Sequence, residues 1–505
     1  MDPILLCLDS GTTAVKAAAF DRHGRLLAVA QSDNNALRRE GQRVEQDMTV
    51  TRDDAFHVLR DCVAQIDAGA VQGLIVTGQG DGLWPVDSGG EPVGRAMTWL
   101  DGRARALAGT LGEAGAFADI EAVTFSRPTA ASQTLHLLWL QLNDPSRLAR
   151  IAHALRCKEW LFLSLTGTLM GEPSAALPVW GDWRTNTFSP VVQESLGLQR
   201  GIELLPPFLD VGECRASLKG EAAAAIGLAA GLPVLLGPGD VQATLIGMGL
   251  GTRTGVTRAS IFGTSAIHAC FLLDPNLMRE KPAGAMVQRF VLDDGYLCFH
   301  PSFNGATLFS HVAKLTGQPA SVSVPSYSGV VMHPFFEPGG ERAPYTSPHA
   351  SGALFGVTAA TKPADLAWAA REALCFVARK SHDMMNAPAN RLTLGGGLAG
   401  DAQFARFLST IMGTEVERNT AGHAGLRGLG AVGAKVLFDA TKAQLVQDWI
   451  TEPDEVLAPG HADLLTYAEE KYALFSKLLD AACGEWGTVS TIADRAQKLM
   501  EGSPA

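Results

Sequence analysis

The chain has 505 residues and a formal net charge of −11, with 47% apolar and 18% charged residues. That length allows about three domains of ordinary size, each with its own core. The composition excludes a disordered chain, and the acidic balance excludes a nucleic-acid binder that works through a basic face. No apolar run reaches the ~20 residues a bilayer span needs, and no basic run suits a lipid surface. Met1 to Leu8 lacks the cationic start of a signal peptide. The eight cysteines include no CxxC pair, so reduced thiols in a cytoplasmic protein are expected, without a Cys-ligated metal. The 54 glycines, well above the usual ~7%, point to tight turns and close backbone approaches.

Three short strands open the chain. Ile4 to Leu8 ends at Asp9, Ser10-Gly11-Thr12-Thr13 is turn chemistry, and Ala14 to Phe20 is apolar again. Asp21 to Gly24 turns a second time before Arg25 to Ala30, which predicts an antiparallel meander. Val71 to Thr77 is a strand that runs into Gly78-Gln79-Gly80-Asp81-Gly82. Pro233 to Leu236 reads as a buried strand ahead of Gly237-Pro238-Gly239-Asp240. A Gly-rich stretch, Gly247 to Thr254, marks the expected domain boundary. Beyond it Ser260 to Ala266 repeats the opening pattern of apolar run, Gly-Thr-hydroxyl turn and apolar run, without an acid where Asp9 stands. The echo suggests two halves of similar core design. Leu366 to Met385 is helical, Arg391 to Leu394 is a strand running into Gly395-Gly396-Gly397, and Asp401 to Met412 is a helix. Asp463 to Glu485 predicts an amphipathic helix with Tyr467, Tyr472, Leu474 and Leu478 on one face, followed by about ten frayed residues.

No P-loop, HExxH or GxSxG elbow stands in the sequence, and the twelve histidines lack metal-ligand spacing. The chemistry lies in acids beside glycines at strand ends. Asp9 before Gly11-Thr12-Thr13 suits a Mg²⁺ ion on phosphate oxygens, with backbone N–H groups and hydroxyls as donors; a turn closed by an Asx bond reads the same way. Asp240 suits a proton acceptor from a substrate hydroxyl, or a plain helix N-cap. Asp81, with Trp99 and Asp101 eighteen to twenty residues on, offers carboxylates and an indole to a polyhydroxylated substrate; Trp99 as core is the alternative.

Together these segments resemble the FGGY carbohydrate kinases, of the actin-like, ribonuclease-H-like ATPase fold. Leu8 to Thr13, with Lys16 and Asp21, looks like the family's first phosphate motif, and Ile261-Phe262-Gly263-Thr264-Ser265 like its second. Gly237 to Asp240, with Gly247 and Gly249, resembles the segment that bears the catalytic Asp. Leu394 to Gly397 resembles the adenosine motif. Lys158-Glu159-Trp160-Leu161, Leu165-Thr166-Gly167, Gly340 to Pro344 and Gly352 to Gly356 match further family segments, all in family order from about residue 4 to 480. There are departures. His136 stands where the family often has Lys, three positions before Trp139. Val241 replaces the Asn or Gln that often follows the catalytic Asp. Gly80-Asp81 stands where xylulokinase-like members have Met-His and glycerol kinases Arg-Glu, and looks most like erythritol-kinase-type members.

The resemblance implies an α/β protein of two ribonuclease-H-like domains with an interdomain active-site cleft. Residues 1–250 would bind the sugar, and 251–505, with a helical tail from about 463, would bind ATP. It implies ATP and Mg²⁺ as cofactors. Asp240 would take the hydroxyl proton, and Asp9 with Asp240 would hold Mg²⁺, directly or through water. Gly11, Thr12, Thr13, Gly263, Thr264 and Ser265 would bind phosphate, and Gly395, Gly396 and Gly397 adenosine. Gln79, Gly80, Asp81, Trp99 and Asp101, with Asp240, would bind the acceptor, a ketopentose of the xylulose type or a tetritol or pentitol of the erythritol type. Glycerol or gluconate as acceptor, a partner-driven ATPase on the same fold, and a homodimer stay open.

Overall fold

The protein, a computed structural model, is described over residues 2–274, 276, 284–319, 324–337, 340–386, 391–420 and 422–501. It forms two compact units. The first comprises Met1–Thr254, Met286–Leu297 and Ala421–Thr451; the second comprises Gly255–Ala285, Cys298–Thr420 and Glu452–Ala505. Beyond the single division expected at 250/251, two later segments return to the first unit. Helix Ala424–Leu437 shows why: it packs on the first sheet, where a Cβ at Gly433 would lie 2.7 Å from Leu5 and 3.3 Å from Ile75. A glycine-flattened helix face fits a sheet of small and branched side chains at close range.

The main sheet of the first unit runs in the order Arg215–Ser217, Pro233–Leu236, Val71–Gly78, Ile4–Ser10, Ala14–Asp21, Leu26–Asp33. Ile4–Ser10 is parallel to Val71–Gly78 and antiparallel to Ala14–Asp21, so the expected opening meander is present. Its near-continuous apolar run suits a central strand buried on both faces. Leu6, Leu8, Val58, Leu59, Leu74 and Val76 belong to one core. Helix Met48–Val63 contributes to that core and is started by Asp47, whose carboxylate accepts from Thr49 and Val50 N–H. A second sheet pairs Arg43–Gln46, Ala96–Thr98, Gly82–Val86 and His153–Leu155.

The second unit repeats the design. Its strands run Tyr296–Ser302, Ala266–Leu272, Val256–Phe262, Arg391–Gly395, Val416–Arg418, Glu455–Leu457. Again the first strand in sequence, Val256–Phe262, has an antiparallel hairpin partner on one side and a parallel strand on the other. The short Gly-Thr echo in the sequence thus marks a shared strand order. Helices Pro363–Met385 and Ala402–Met412 cover the sheet much as expected. The tail differs. Helix Ala462–Cys483 buries Ala468, Lys471, Phe475 and Leu479, while Leu474 is 45% exposed. The buried stripe at i, i+3, i+7, i+11 runs through Lys471 because its ammonium is paired with Glu372. A further helix, Trp486–Glu501, replaces most of the expected frayed end; residues 502–505 of that end lie outside the described residues. No helix among the described residues is long and apolar enough to cross a membrane.

Candidate active site

Asp9 is the sixth residue of strand Ile4–Ser10 and pairs across the hairpin with Lys16. Its Oδ1 is buried and has no hydrogen-bond partner among the described residues. Burial pushes its pKa up to about 6 against the opposing pull of Lys16. Asp240 opens helix Asp240–Gly247; Gly239 takes the N-cap position, so the plain N-cap reading of Asp240 is set aside. Its Oδ1 accepts from the Val241 N–H at 2.8 Å. Burial, then the charge of Asp9, push its pKa up to about 7, and the Val241 N–H and the Lys158 ammonium pull it down. Neighbouring carboxylates with raised pKa values in a desolvated site suit a shared cation or a proton-transfer role.

The helices behind this pair approach closely. A Cβ at Gly428 of helix Ala424–Leu437 would overlap the Ala243 backbone and lie 2.6 Å from Gly247 N, so only glycine fits. Gly425 brings the same helix to Thr244 and Asp9: a Cβ there would sit 3.7 Å from Asp9 Oδ2. Sequence reasoning gave these glycines no role. The spacing Gly425, Gly428, Gly430, Gly433 was the available signal, since glycines three apart share a helix face.

The residues expected on the acceptor side come together only in part. Gly82 pairs with Thr98, which sets Asp81 and Trp99 at neighbouring strand ends. Gly82 has φ +100 and a Cβ there would meet Met97 O at 2.6 Å, so glycine is required. Asp81 Oδ1 accepts from Gly82 N–H at 2.9 Å and from Gln133 N–H at 3.1 Å, the start of helix Gln133–Asn143. Gln79 is buried and donates to Gln46 Oε1 at 2.7 Å. A Cβ at Gly80 would lie 3.7 Å from Asp240 Oδ1, so the Gln79-Gly80-Asp81 turn lies against that carboxylate. Trp99 is half-buried rather than core, and its Nε1 donates to Thr12 Oγ1 at 2.8 Å. Thr12 is thereby tied to Trp99, and its hydroxyl also points to Gln79 Oε1 at 3.4 Å.

Asp101 departs from expectation. It is 1% exposed, accepts from Val44 N–H at 2.8 Å, and holds Arg103 through Nε at 3.0 Å and the terminal nitrogen at 3.0 Å. Arg103 in turn pairs with Glu45 at 2.8 Å. Asp101 braces the Trp99 turn through Val44 and Arg103. His136 is wholly buried and pushed down to about 4, so it is neutral where the family often has a cation.

In each unit a turn follows the first strand. Gly11 N–H donates to Ala14 O at 3.0 Å, and Gly263 N–H to Ser265 O at 2.9 Å. Thr13 and Thr264 are exposed at the tips. The second turn is buttressed by the start of helix Thr307–Thr316, with Ala306 N–H on Gly263 O at 2.9 Å and Thr307 Oγ1 on Thr264 O at 3.1 Å. Gly395 ends its strand, and Gly396 and Gly397 are exposed beyond it. At Gly396, with φ +81, a Cβ would meet Phe262 N at 2.9 Å, so this glycine lets the two strand ends meet.

Comparisons with known proteins place the whole chain in a family. The FGGY family of carbohydrate kinases, N-terminal domain, matches residues 4–247, and the C-terminal domain of that family matches residues 288–436. The chain belongs to the FGGY family of carbohydrate kinases. It is similar to an erythritol kinase of Brucella abortus, 30% identical with 93% of this chain and 96% of the relative covered. It is also similar to a xylulose kinase of Escherichia coli, 28% identical with 83% and 87% covered. A gluconate kinase of Lactobacillus acidophilus shares the fold, with TM-score 0.88 at 18% identity over 97% of this chain and 100% of that one. The fold is the two-domain actin-like ATPase fold of these kinases. The protein is an ATP-dependent kinase of a small sugar or polyol, and its cofactors are ATP and Mg²⁺.

The residues present fit the metal. Among the described residues no three His, Cys, Asp or Glu side chains form a cage of their own. Mg²⁺ is held by one or two carboxylates together with phosphate and water. The partnerless Asp9 Oδ1 and the raised carboxyls of Asp9 and Asp240 fit that donor set.

Proposed function

We propose that this kinase transfers the γ-phosphoryl group of ATP to a primary hydroxyl of a tetritol, erythritol first, with Asp240 as the general base and Asp9 as the principal Mg²⁺ ligand. The observation that carries the reading is the half-buried carboxylate pair itself: Asp240 is raised to about 7 by desolvation and then by the charge of Asp9. A base with a pKa near the working pH takes a hydroxyl proton as the oxygen–phosphorus bond forms. Mg²⁺, when bound, neutralises phosphate charge. The exposed hydroxyls of Thr13 and Thr264, at the tips of the two turns, offer donors to phosphate oxygens, and Gly396-Gly397 an uncluttered surface to the adenine ring. The Lys158 ammonium, itself paired with Glu172, pulls the Asp240 pKa down only in part against desolvation and the charge of Asp9.

The choice of acceptor rests on the turn Gln79-Gly80-Asp81. Gly80 leaves room beside Asp240, and Asp81 is oriented by two backbone N–H groups with the Trp99 ring at the adjoining strand end. The similarity to an erythritol kinase over nearly the whole chain supports the same choice. We place the enzyme in the cytoplasm, where ATP is supplied. The test is ADP release with Mg-ATP across erythritol, threitol, D- and L-xylulose, ribulose, xylitol, arabitol, glycerol and gluconate. Asp240→Ala should lower turnover roughly 10²–10⁴-fold, the usual worth of general-base catalysis. Near-normal turnover by a folded Asp240→Ala protein would sink the assignment.

A further inference from the structure

The segment that delivers Asp240 is a Gly-Pro-Gly turn, and three successive residues in it are held by side chains from elsewhere. Lys158, on helix Cys157–Thr166, donates to Gly237 O at 2.8 Å. Thr77, on strand Val71–Gly78, donates to Pro238 O at 2.6 Å. Ser174 Oγ accepts from Gly239 N–H at 3.0 Å. Ser174 and Lys158 meet at one carboxylate. Glu172 is ion-paired with Lys158, accepts from Ser174 Oγ at 2.6 Å, and also caps its own helix through Ser174 and Ala175 N–H. The Lys158 and Glu172 side chains are 2% and 0% exposed.

We propose that Lys158, Glu172 and Ser174, with Thr77, are positioning residues that fix the Gly237–Gly239 turn and so hold the Asp240 carboxylate where it meets the acceptor hydroxyl. This rests on the assignment of Asp240 as the proton acceptor. Two glycines in three residues give the turn little stiffness of its own. A misplacement of about 1 Å at a reacting group can cost about 10²-fold in rate. A buried ion pair is a poor source of stability, since a well-packed apolar pair of similar size often does as well. What an apolar pair does not supply is a donor for Gly237 O and, through Ser174, an acceptor for Gly239 N–H. The Ser174 hydroxyl gives its one proton to Glu172, which leaves its lone pairs for Gly239. Neutral replacement of Glu172 would leave that hydroxyl free to rotate.

The experiment compares wild type, Ser174→Ala, Thr77→Val and Asp240→Ala. Each is assayed with Mg-ATP and whichever of erythritol, D-xylulose and glycerol the wild type turns over fastest. Backbone hydrogen exchange of the ligand-free proteins is followed at Gly239 and Asp240. Ser174→Ala and Thr77→Val should each lower kcat about 10- to 100-fold. KM for ATP and for the acceptor should stay within about twofold, with cooperative unfolding retained and faster exchange at Gly239. The paired variant Lys158→Met/Glu172→Met, which leaves no lone buried charge, should lose kcat in the same way. Unchanged kcat in Ser174→Ala and Thr77→Val overturns the proposal, whatever happens to stability. So does a loss of activity that only tracks unfolding. An active Asp240→Ala would instead strike at the general-base assignment, so the two failures are distinct; slow exchange at Gly239 in Ser174→Ala counts against the clamp with no acceptor needed.

Discussion

Asp240→Asn should make the protein more stable, and by an amount that depends on pH. The folded state raises the Asp240 pKa from 3.8 to about 7. Between those values the native protein binds a proton that the unfolded chain has lost, so stability falls as pH rises through the window. Each tenfold change in the protonation equilibrium is worth about 1.4 kcal/mol. At pH 5, a little more than one pH unit above 3.8, the ionisable carboxyl costs about 2 kcal/mol. At pH 8, above the folded value, it costs about 4 kcal/mol. Asparagine carries no charge at either pH and keeps an oxygen for the Val241 N–H. The gain from Asp240→Asn should therefore be larger at pH 8 than at pH 5 by on the order of 2–3 kcal/mol. The assay is the unfolding midpoint of both proteins in Mg²⁺-free buffer across pH 5 to 8. Equal midpoints at pH 8, or a gain that does not change with pH, would refute the reasoning. The variant should at the same time be nearly inactive, because stability and function conflict at such a pair.

Three further perturbations bear on other residues. Asp101→Ala should destabilise the fold by about 1–3 kcal/mol, since the Val44 N–H loses its acceptor and Arg103 keeps only Glu45; denaturant unfolding checks this, and the protein that remains folded should keep its KM for ATP. Asp81→Ala should raise KM for the acceptor or lower kcat/KM about 10- to 100-fold with KM for ATP unchanged, since the proposed acceptor site would lose one of its carboxylates; initial-rate kinetics in both substrates decide it. Gly428→Ala should destabilise the first unit by about 1–3 kcal/mol or more, because the methyl group would overlap the Ala243 backbone; the thermal midpoint of the variant reads it.

Much of the fold was legible because the apolar runs are short, dense and bounded by glycine. The opening hairpin, strand Val71–Gly78, strand Pro233–Leu236 and the long helix Pro363–Met385 follow from local pattern alone. The return of Ala421–Thr451 to the first unit was not, since it is a long-range packing choice made by glycines on one helix face. At the site, Asp9 and Asp240 stood out as acids beside glycines at strand ends. Asp101 looked the same in sequence and turned out to serve Arg103 and Val44, because a carboxylate two residues before an arginine is as apt for an ion pair as for a ligand. Lys158, Glu172 and Ser174 carried no local signal of proximity to Asp240: they are 66 to 82 residues away in sequence, and only the pairing of Val71–Gly78 with Pro233–Leu236 and the packing of helix Cys157–Thr166 bring them near. The tail helix misled in detail, because Lys471 takes a core position that a hydrophobic pattern assigns to its apolar neighbours.

The most direct test of the central claim is steady-state ADP release from Mg-ATP with erythritol, run side by side on wild type and Asp240→Ala. Erythritol-dependent turnover in the wild type, well above that with D-xylulose or glycerol and at least about 10²-fold lower in the variant, is what the account predicts. Turnover that favours D-xylulose or glycerol would contradict the reading of Gly80-Asp81, and turnover that survives in Asp240→Ala would contradict the chemistry.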